Sequence, residues 1–212
     1  MNYAKMVASG LLERGAVKVQ VDPLFTWASG IKSPVYCDNR KMIGFVEERK
    51  LIVEGFKDLI ARKNLEFDVI AGTATAGIPW AAFLAYEVGA PMVYVRPEKK
   101  LHGAGRQVEG FVEEGSRVLL VEDLVSTGGS SLKALEALRG EVKAVVDDVV
   151  AIVSWGLDGT AERFSEAGVK FDHLVGFDDL IDGALERGDI TSADREAVLK
   201  FRESPRTWAD SL

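Results

Sequence analysis

The sequence predicts an α/β fold, a parallel sheet with helices on both faces and a small N-terminal lobe over the sheet's carboxyl edge. Short apolar runs alternate with segments of helical periodicity, as parallel strands joined by crossover helices require. The runs DVIAG (68–72), PMVYV (91–95), RVLLV (117–121) and VVAIVSW (149–155) are almost continuously apolar, which suits strands buried on both faces. Three of them lead into TATAG, RPEKKLHGAGRQ and EDLVSTGGSS. In such a sheet these stretches gather at the carboxyl ends of the strands, where ligands bind.

The elements follow in order. Apolar side chains at Tyr3, Met6, Val7, Leu11 and Leu12 predict a helix over 3–14, and VKVQV (17–21) alternates like a strand. FTWASGIKSPVYCDNR (25–40) mixes aromatics with Ser, Gly and Pro and reads as short strands and turns. EERKLIVEGFKDLIARK (47–63) is an amphipathic helix. GIPWAAFLAYEVG (77–89) is another, with Pro79 in its first turn and Gly89 at its end. Helices over 131–140 and 160–168 and a strand over 171–175 complete the pattern, and 178–212 reads as two polar helices and a loose end. We expect one domain: a hood over about residues 1–40, a core over about 41–178 and C-terminal helices over about 178–212.

Composition excludes several functions. The net charge is −7, from 33 acids against 26 Lys and Arg, which argues against a nucleic-acid or anionic-membrane partner. No stretch approaches the roughly 18 continuous apolar residues of a membrane span, and the N-terminus lacks the apolar core of a signal peptide. The single cysteine, Cys37, points to a reducing, cytoplasmic setting and reads as a small, partly buried residue.

The run VLLVEDLVSTGGSS (118–131) carries the chemistry. Its glycines let backbone amides converge on an anion at a helix N-terminus, and Ser126, Thr127 and Ser130 add hydroxyl donors. Neither the Walker pattern nor the dinucleotide G-x-G-x-x-G is present, so the loop is a phosphate site of another kind. Glu122 and Asp123 would repel a phosphate that touched them. They suit the hydroxyls of a sugar on the same ligand, above all one that becomes cationic during reaction.

This run resembles the phosphoribosyl-pyrophosphate signature of type I phosphoribosyltransferases, with Glu122 where many members carry Asp. The resemblance implies that family's fold and hood. It also implies that Glu122 and Asp123 hold the ribose hydroxyls, while Leu124, Val125 and Ser126, Thr127, Gly128, Gly129 and Ser130 form the turn around the 5′-phosphate. The pattern Arg-x-x-x-Lys-x-His-Gly at Arg96, Lys100, His102 and Gly103 is similar to the catalytic loop of the orotate phosphoribosyltransferases. That loop reaches a neighbouring subunit of a homodimer, and its Lys, here Lys100, is catalytic together with the two acids. FTWASGIKSP (25–34) is similar to the family's hood signature and GTATAGIP (72–79) to its pyrophosphate loop, which favours a strained or cis peptide. The chain departs from the pattern at Ala28, Ala76 and Pro97, where some members carry basic residues, and in SWGL (154–157), where some carry an orotate-binding Arg. Lys99 could replace the contact missing at Pro97. Ser126 and the backbone near Lys32 and Ser33 would hold the pyrimidine.

The resemblance therefore implies transfer of phosphoribosyl from phosphoribosyl pyrophosphate to orotate, giving orotidine 5′-monophosphate and pyrophosphate, with Mg²⁺ bound mainly through the pyrophosphate. The alternatives are a phosphoribosyltransferase for another purine or pyrimidine, and a regulator that only senses phosphoribosyl pyrophosphate. Elsewhere, Trp27, Trp80 and Trp155 read as packing residues, His173 as structural, and Asp147 and Asp148 as exposed.

Overall fold

A computed structural model describes residues 1–27, 29–98 and 105–211 of the chain. Helix α1 (Tyr3–Glu13) buries Val7, Ala8, Leu11 and Leu12, and the Asn2 side chain caps it by accepting from the Lys5 amide at 3.1 Å. Four short strands follow: β1 (Val17–Val19), β2 (Phe25–Thr26), β3 (Lys32–Ser33) and β4 (Val35–Cys37). They pair as two antiparallel ribbons, β1 with β4 and β2 with β3. A 3-10 turn over Asn39–Gly44 leads to α2 (Val46–Lys63), which ends on Asn64 in the left-handed conformation.

The central sheet is assembled from β5 (Val69–Thr73), α3 (Gly77–Val88), β6 (Met92–Val95), β7 (Val108–Glu109), β8 (Arg117–Val125), α4 (Gly129–Glu141), β9 (Val145–Ser154), α5 (Thr160–Glu166) and β10 (Lys170–Val175). Its strand order is β10-β9-β8-β5-β6-β7, parallel except where β7 runs antiparallel to β6. Every residue of β5 is buried, which accounts for its unbroken apolar run. Along β8, Leu119 and Val121 enter the core beneath α1, α2 and α3, while Val118 and Leu120 enter the core beneath α4 and α5. The sheet is thus covered on both faces.

Three expectations need correction. Strands β8 and β9 are longer than their apolar runs suggest: pairs of Glu122 with Ala151 and Leu124 with Val153 carry β8 on past its acids, and pairs of Arg117 with Val145 and Leu119 with Asp148 start β9 before its run. Tertiary pairing overrides the weak strand propensity of Glu and Asp here. Within the extended β9, Asp147 is exposed but Asp148 is half-buried. Strand β7, only two residues in a polar segment, has no period to read.

The third correction concerns the tail. Helix α6 (Phe177–Arg187) buries Phe177, Leu180, Ile181 and Ala184, and α7 (Ser192–Leu199) is held at its start by Thr191 and Asp194 in a capping box. The segment after α7 is docked, with Phe201 and Trp208 both buried. Phe201 meets Trp27 at 5.6 Å edge-on, Trp208 at 5.5 Å edge-on and Phe177 at 6.4 Å. The Trp208 indole donates to the Ala197 carbonyl at 2.8 Å. Trp27 in turn stacks on Trp155 at 6.4 Å, so one aromatic cluster joins N-terminal lobe, strand end and tail. Phe201→Ala should remove about 3 kcal/mol of stability, seen as a lowered urea midpoint at unchanged slope. A midpoint equal to that of the parent would mean the tail is not docked.

Candidate functional site

The three suspicious stretches do meet at one edge. Strands β6, β5 and β8 are parallel neighbours, so residues 74–76, Arg96 and residues 126–130 all leave the sheet on the same side. The turn after β5 contains a cis peptide between Ala74 and Thr75, and the Ala74 amide donates to the Val95 carbonyl at 2.8 Å. The first residue of α3 lies directly on β8: a Cβ on Gly77 would stand 2.6 Å from the Val121 carbonyl oxygen. Only glycine permits that approach.

The turn 126–130 forms the start of α4. Gly128 sits at its N-cap with φ +80, and a Cβ there would lie 2.9 Å from the Phe164 ring. No side chain caps this helix, while Thr127, Gly129 and Ser130 are exposed. Uncapped amides, the positive end of the helix dipole and exposed hydroxyls make a binding place for an anion. Beneath it, Thr160 at the start of α5 donates its hydroxyl to the Ser126 carbonyl at 3.2 Å, and Arg163 donates to the Thr160 oxygen at 3.3 Å.

The two acids point to opposite faces of β8, as adjacent strand residues must. Glu122 is 3% exposed and turns toward α4, where it accepts hydroxyl bonds from Ser131 at 2.9 Å and Ser130 at 3.1 Å. Burial, helped by the Asp123 charge, pushes its carboxyl up to about 7, against the opposing pull of the Ser131, Ser130 and Thr73 hydroxyls. Asp123 turns toward the N-terminal lobe and is half-buried. Burial raises it to about 6, although the Leu124 amide and the Arg40 charge favour its ionised form. The buried Asn39 side chain donates to the Asp123 carbonyl at 2.7 Å, and Asn39 accepts the Cys37 thiol at 3.2 Å. Strand β8 therefore presents a hydroxyl-bound acid to the helix and a second acid to the lobe.

The 96–110 segment is held at both ends. The Arg96 amide donates to the Gln107 carbonyl at 2.9 Å, and the Arg96 guanidinium lies 3.4 Å from Glu109. Lys99, Lys100, His102 and Gly103 lie outside the described residues, as does Ala28. The SWGL stretch contributes packing: Trp155 is buried, and its amide donates to the Val125 carbonyl at 3.0 Å.

The phosphoribosyl transferase domain family matches residues 45–152. Over 208 residues the chain is 45% identical to the orotate phosphoribosyltransferase of Listeria monocytogenes serotype 4b, spanning 98% of this chain and 99% of that one. This chain belongs to the orotate phosphoribosyltransferase family. Among solved structures, it is similar to the orotate phosphoribosyltransferase from Aeropyrum pernix, with TM-score 0.75, 32% identity and coverage of 88% of this chain and 100% of that one. It is also similar to the Mycobacterium tuberculosis enzyme in complex with 5-phospho-alpha-D-ribosyl 1-diphosphate, with TM-score 0.66, 27% identity and coverage of 84% and 98%. For an orotate phosphoribosyltransferase the family match begins at α2, yet the full-length relative extends through lobe and tail, the two parts joined by the Trp27 cluster.

Sequence reasoning missed Ser131, Asn39 and Thr160, which hold Glu122, Asp123 and Ser126 in place. Ser131 sits within the signature run, and the i, i+9 partnership was unreadable because it joins a strand to a helix. Asn39 is 84 positions from Asp123 and carries no local signal.

Glu122 also sets a pH dependence. Its folded pKa, about 7, lies above the ordinary 4.5, so the folded state binds the proton more tightly. The stability this confers is full below about pH 4.5 and is lost as pH rises through 7. Glu122→Gln should remove the loss, making the variant more stable than the parent at pH 8 by up to about 3 kcal/mol, with the gap closing toward pH 5. Parallel urea titrations at both pH values measure this, and a gap independent of pH would contradict it.

Proposed function

We propose that this protein transfers the 5-phosphoribosyl group from phosphoribosyl pyrophosphate to orotate, giving orotidine 5′-monophosphate and pyrophosphate in pyrimidine biosynthesis. One observation carries the reading. A single central strand delivers two carboxylates and, five residues later, the uncapped N-cap of a helix flanked by exposed hydroxyls. A sugar phosphate needs those two environments at that separation.

The turn 126–130 binds the 5′-phosphate through its amides and hydroxyls, with Leu124 and Val125 carrying the chain into it. Asp123 and Glu122 face the ribose and stabilise the positive charge that develops as its anomeric carbon loses pyrophosphate and bonds to the pyrimidine nitrogen. Glu122 must let go of the Ser130 hydroxyl when that hydroxyl turns to the phosphate. Ser131, buried deeper, keeps the carboxylate in register. Arg96, Lys100 and His102 receive the charge of the departing pyrophosphate. Orotate is already an anion, so its nitrogen demands no strong base.

Mg²⁺ fits this donor set in a limited way. Glu122 and Asp123 are hard oxygen donors, but no three His, Cys, Asp or Glu side chains among the described residues group to cage an ion. The ion would be held chiefly by pyrophosphate oxygens and water, and would there supply positive charge against the leaving group. The working unit is a cytoplasmic homodimer in which residues 96–110 of one subunit serve its partner's site. No helix among the described residues is long and apolar enough to cross a membrane.

Mixing the protein with Mg²⁺, phosphoribosyl pyrophosphate and orotate should release pyrophosphate, whereas uracil, adenine or hypoxanthine in place of orotate should not. Comparable turnover of any of those bases would redirect the assignment. Lys100→Ala should lower kcat by about 10² to 10⁴ with a smaller change in KM. Near-parental turnover would remove the loop from the mechanism.

A further inference from the structure

The last residue of α4 is an acid. A carboxylate at a helix C-terminus faces the negative end of the dipole and disfavours the helix. Glu141 nevertheless stands there, and its Oε2 accepts the Gln107 amide at 2.8 Å and the Val108 amide at 3.2 Å. Gln107 extends the contact with its own side chain, which donates to the Arg96 carbonyl at 3.1 Å and the Pro97 carbonyl at 3.3 Å. The Arg96 amide closes the ring by donating to Gln107. One side chain at the end of α4 thus ties together the chain leaving β6 and the chain entering β7. The opposite end of the same helix is the turn 126–130.

From this arrangement we propose that Glu141 is a positioning residue for the transfer reaction. It sets where Arg96 and the two ends of the 96–110 segment stand relative to the phosphate-binding start of α4. Helix α4 spans 13 residues and acts as a rigid spacer, so the Glu141 bonds fix the pyrophosphate-facing side of the site against its 5′-phosphate-facing side. Two backbone amides are bound by one charged acceptor, a stronger and more directional link than neutral partners would supply. A bystander at a helix end would be better as Lys or Arg, which favour the dipole; here the acid serves as acceptor for the amides of 107 and 108.

The proposal rests on the phosphoribosyltransferase reading, and its test separates the two. Amide hydrogen exchange at Gln107 and Val108 is measured with and without Glu141→Ala, alongside kcat and KM for orotate, normalised to folded protein. Loss of protection at those two amides, with α4 otherwise protected, is expected whatever the activity. Glu141→Ala should lower kcat by about 10-fold, since small misplacements of a group acting in the transition state have effects of that order, and should leave the orotate KM within about 2-fold. Glu141→Gln retains an acceptor oxygen and should recover most of the lost kcat. Gln107→Ala, which removes the side-chain bonds to the Arg96 and Pro97 carbonyls but keeps the backbone bond from the Arg96 amide and the Glu141 bonds, should lower kcat in the same direction and remains informative if Glu141→Ala fails to fold. Unchanged kcat in Glu141→Ala, a Gln variant as slow as the Ala variant, or unaltered exchange at residues 107 and 108 would each overturn the assignment. A parent protein inactive on orotate, with exchange altered as described, would instead fail the reaction and leave the clamp standing.

Discussion

Strand β8 is hydrogen-bonded on both sides, to β5 and β9, and it carries a carboxylate into a place where water is largely excluded. Glu122 is kept there by the hydroxyls of Ser130 and Ser131, the second and third residues of α4. An acid buried at that depth is costly unless its oxygens are bonded. The bonds that satisfy it also hold the start of α4 against the end of β8. The turn between them therefore has both ends fixed, and its amides keep their orientation. The location of the 126–130 turn follows from that strand-to-helix link.

Around it the chain builds with close backbone approaches and small side-chain brackets. Gly77 lets α3 sit on the carbonyl of Val121, and Gly128 lets α4 start against the ring of Phe164. Thr160 holds Ser126 from α5, Asn39 holds Asp123 from the lobe, and Glu141 holds the segment beyond β6 from the far end of α4. Each bracket comes from a different element. The lobe is attached through Trp27, which stacks on Trp155 and meets Phe201 of the tail. The SWGL stretch at the end of β9 is occupied by aromatic packing that joins lobe, sheet and tail.

Much of this was legible in the chain. Strands β5, β6 and β8 announced themselves because a strand buried on both faces must be continuously apolar. Helices α2 and α3 were legible through their period, and the ends of α3 through Pro79 and Gly89. The signature run was legible because acids, glycines and hydroxyls are contiguous in it. Strand β7, the end of β8 and the start of β9 were hidden, since acids interrupt their apolar residues and their hydrogen bonds come from neighbouring strands. The tail misled for a related reason: Phe201 and Trp208 are isolated aromatics in a polar segment, and Phe201 packs on Trp27, 174 positions earlier, while Trp208 packs on Phe201.

Taken alone, the order of residues determined the layered α/β arrangement and the edge at which the 74–76, 96 and 126–130 stretches gather, because periodicity and contiguous motifs are local properties. The directions of Glu122 and Asp123, the partners that satisfy them, the docking of the tail and the clamp at Glu141 were decided only by the folded structure. Those depend on which distant groups arrive within hydrogen-bonding reach, and a bond between residues 34 or 84 positions apart leaves no trace in either one's neighbourhood.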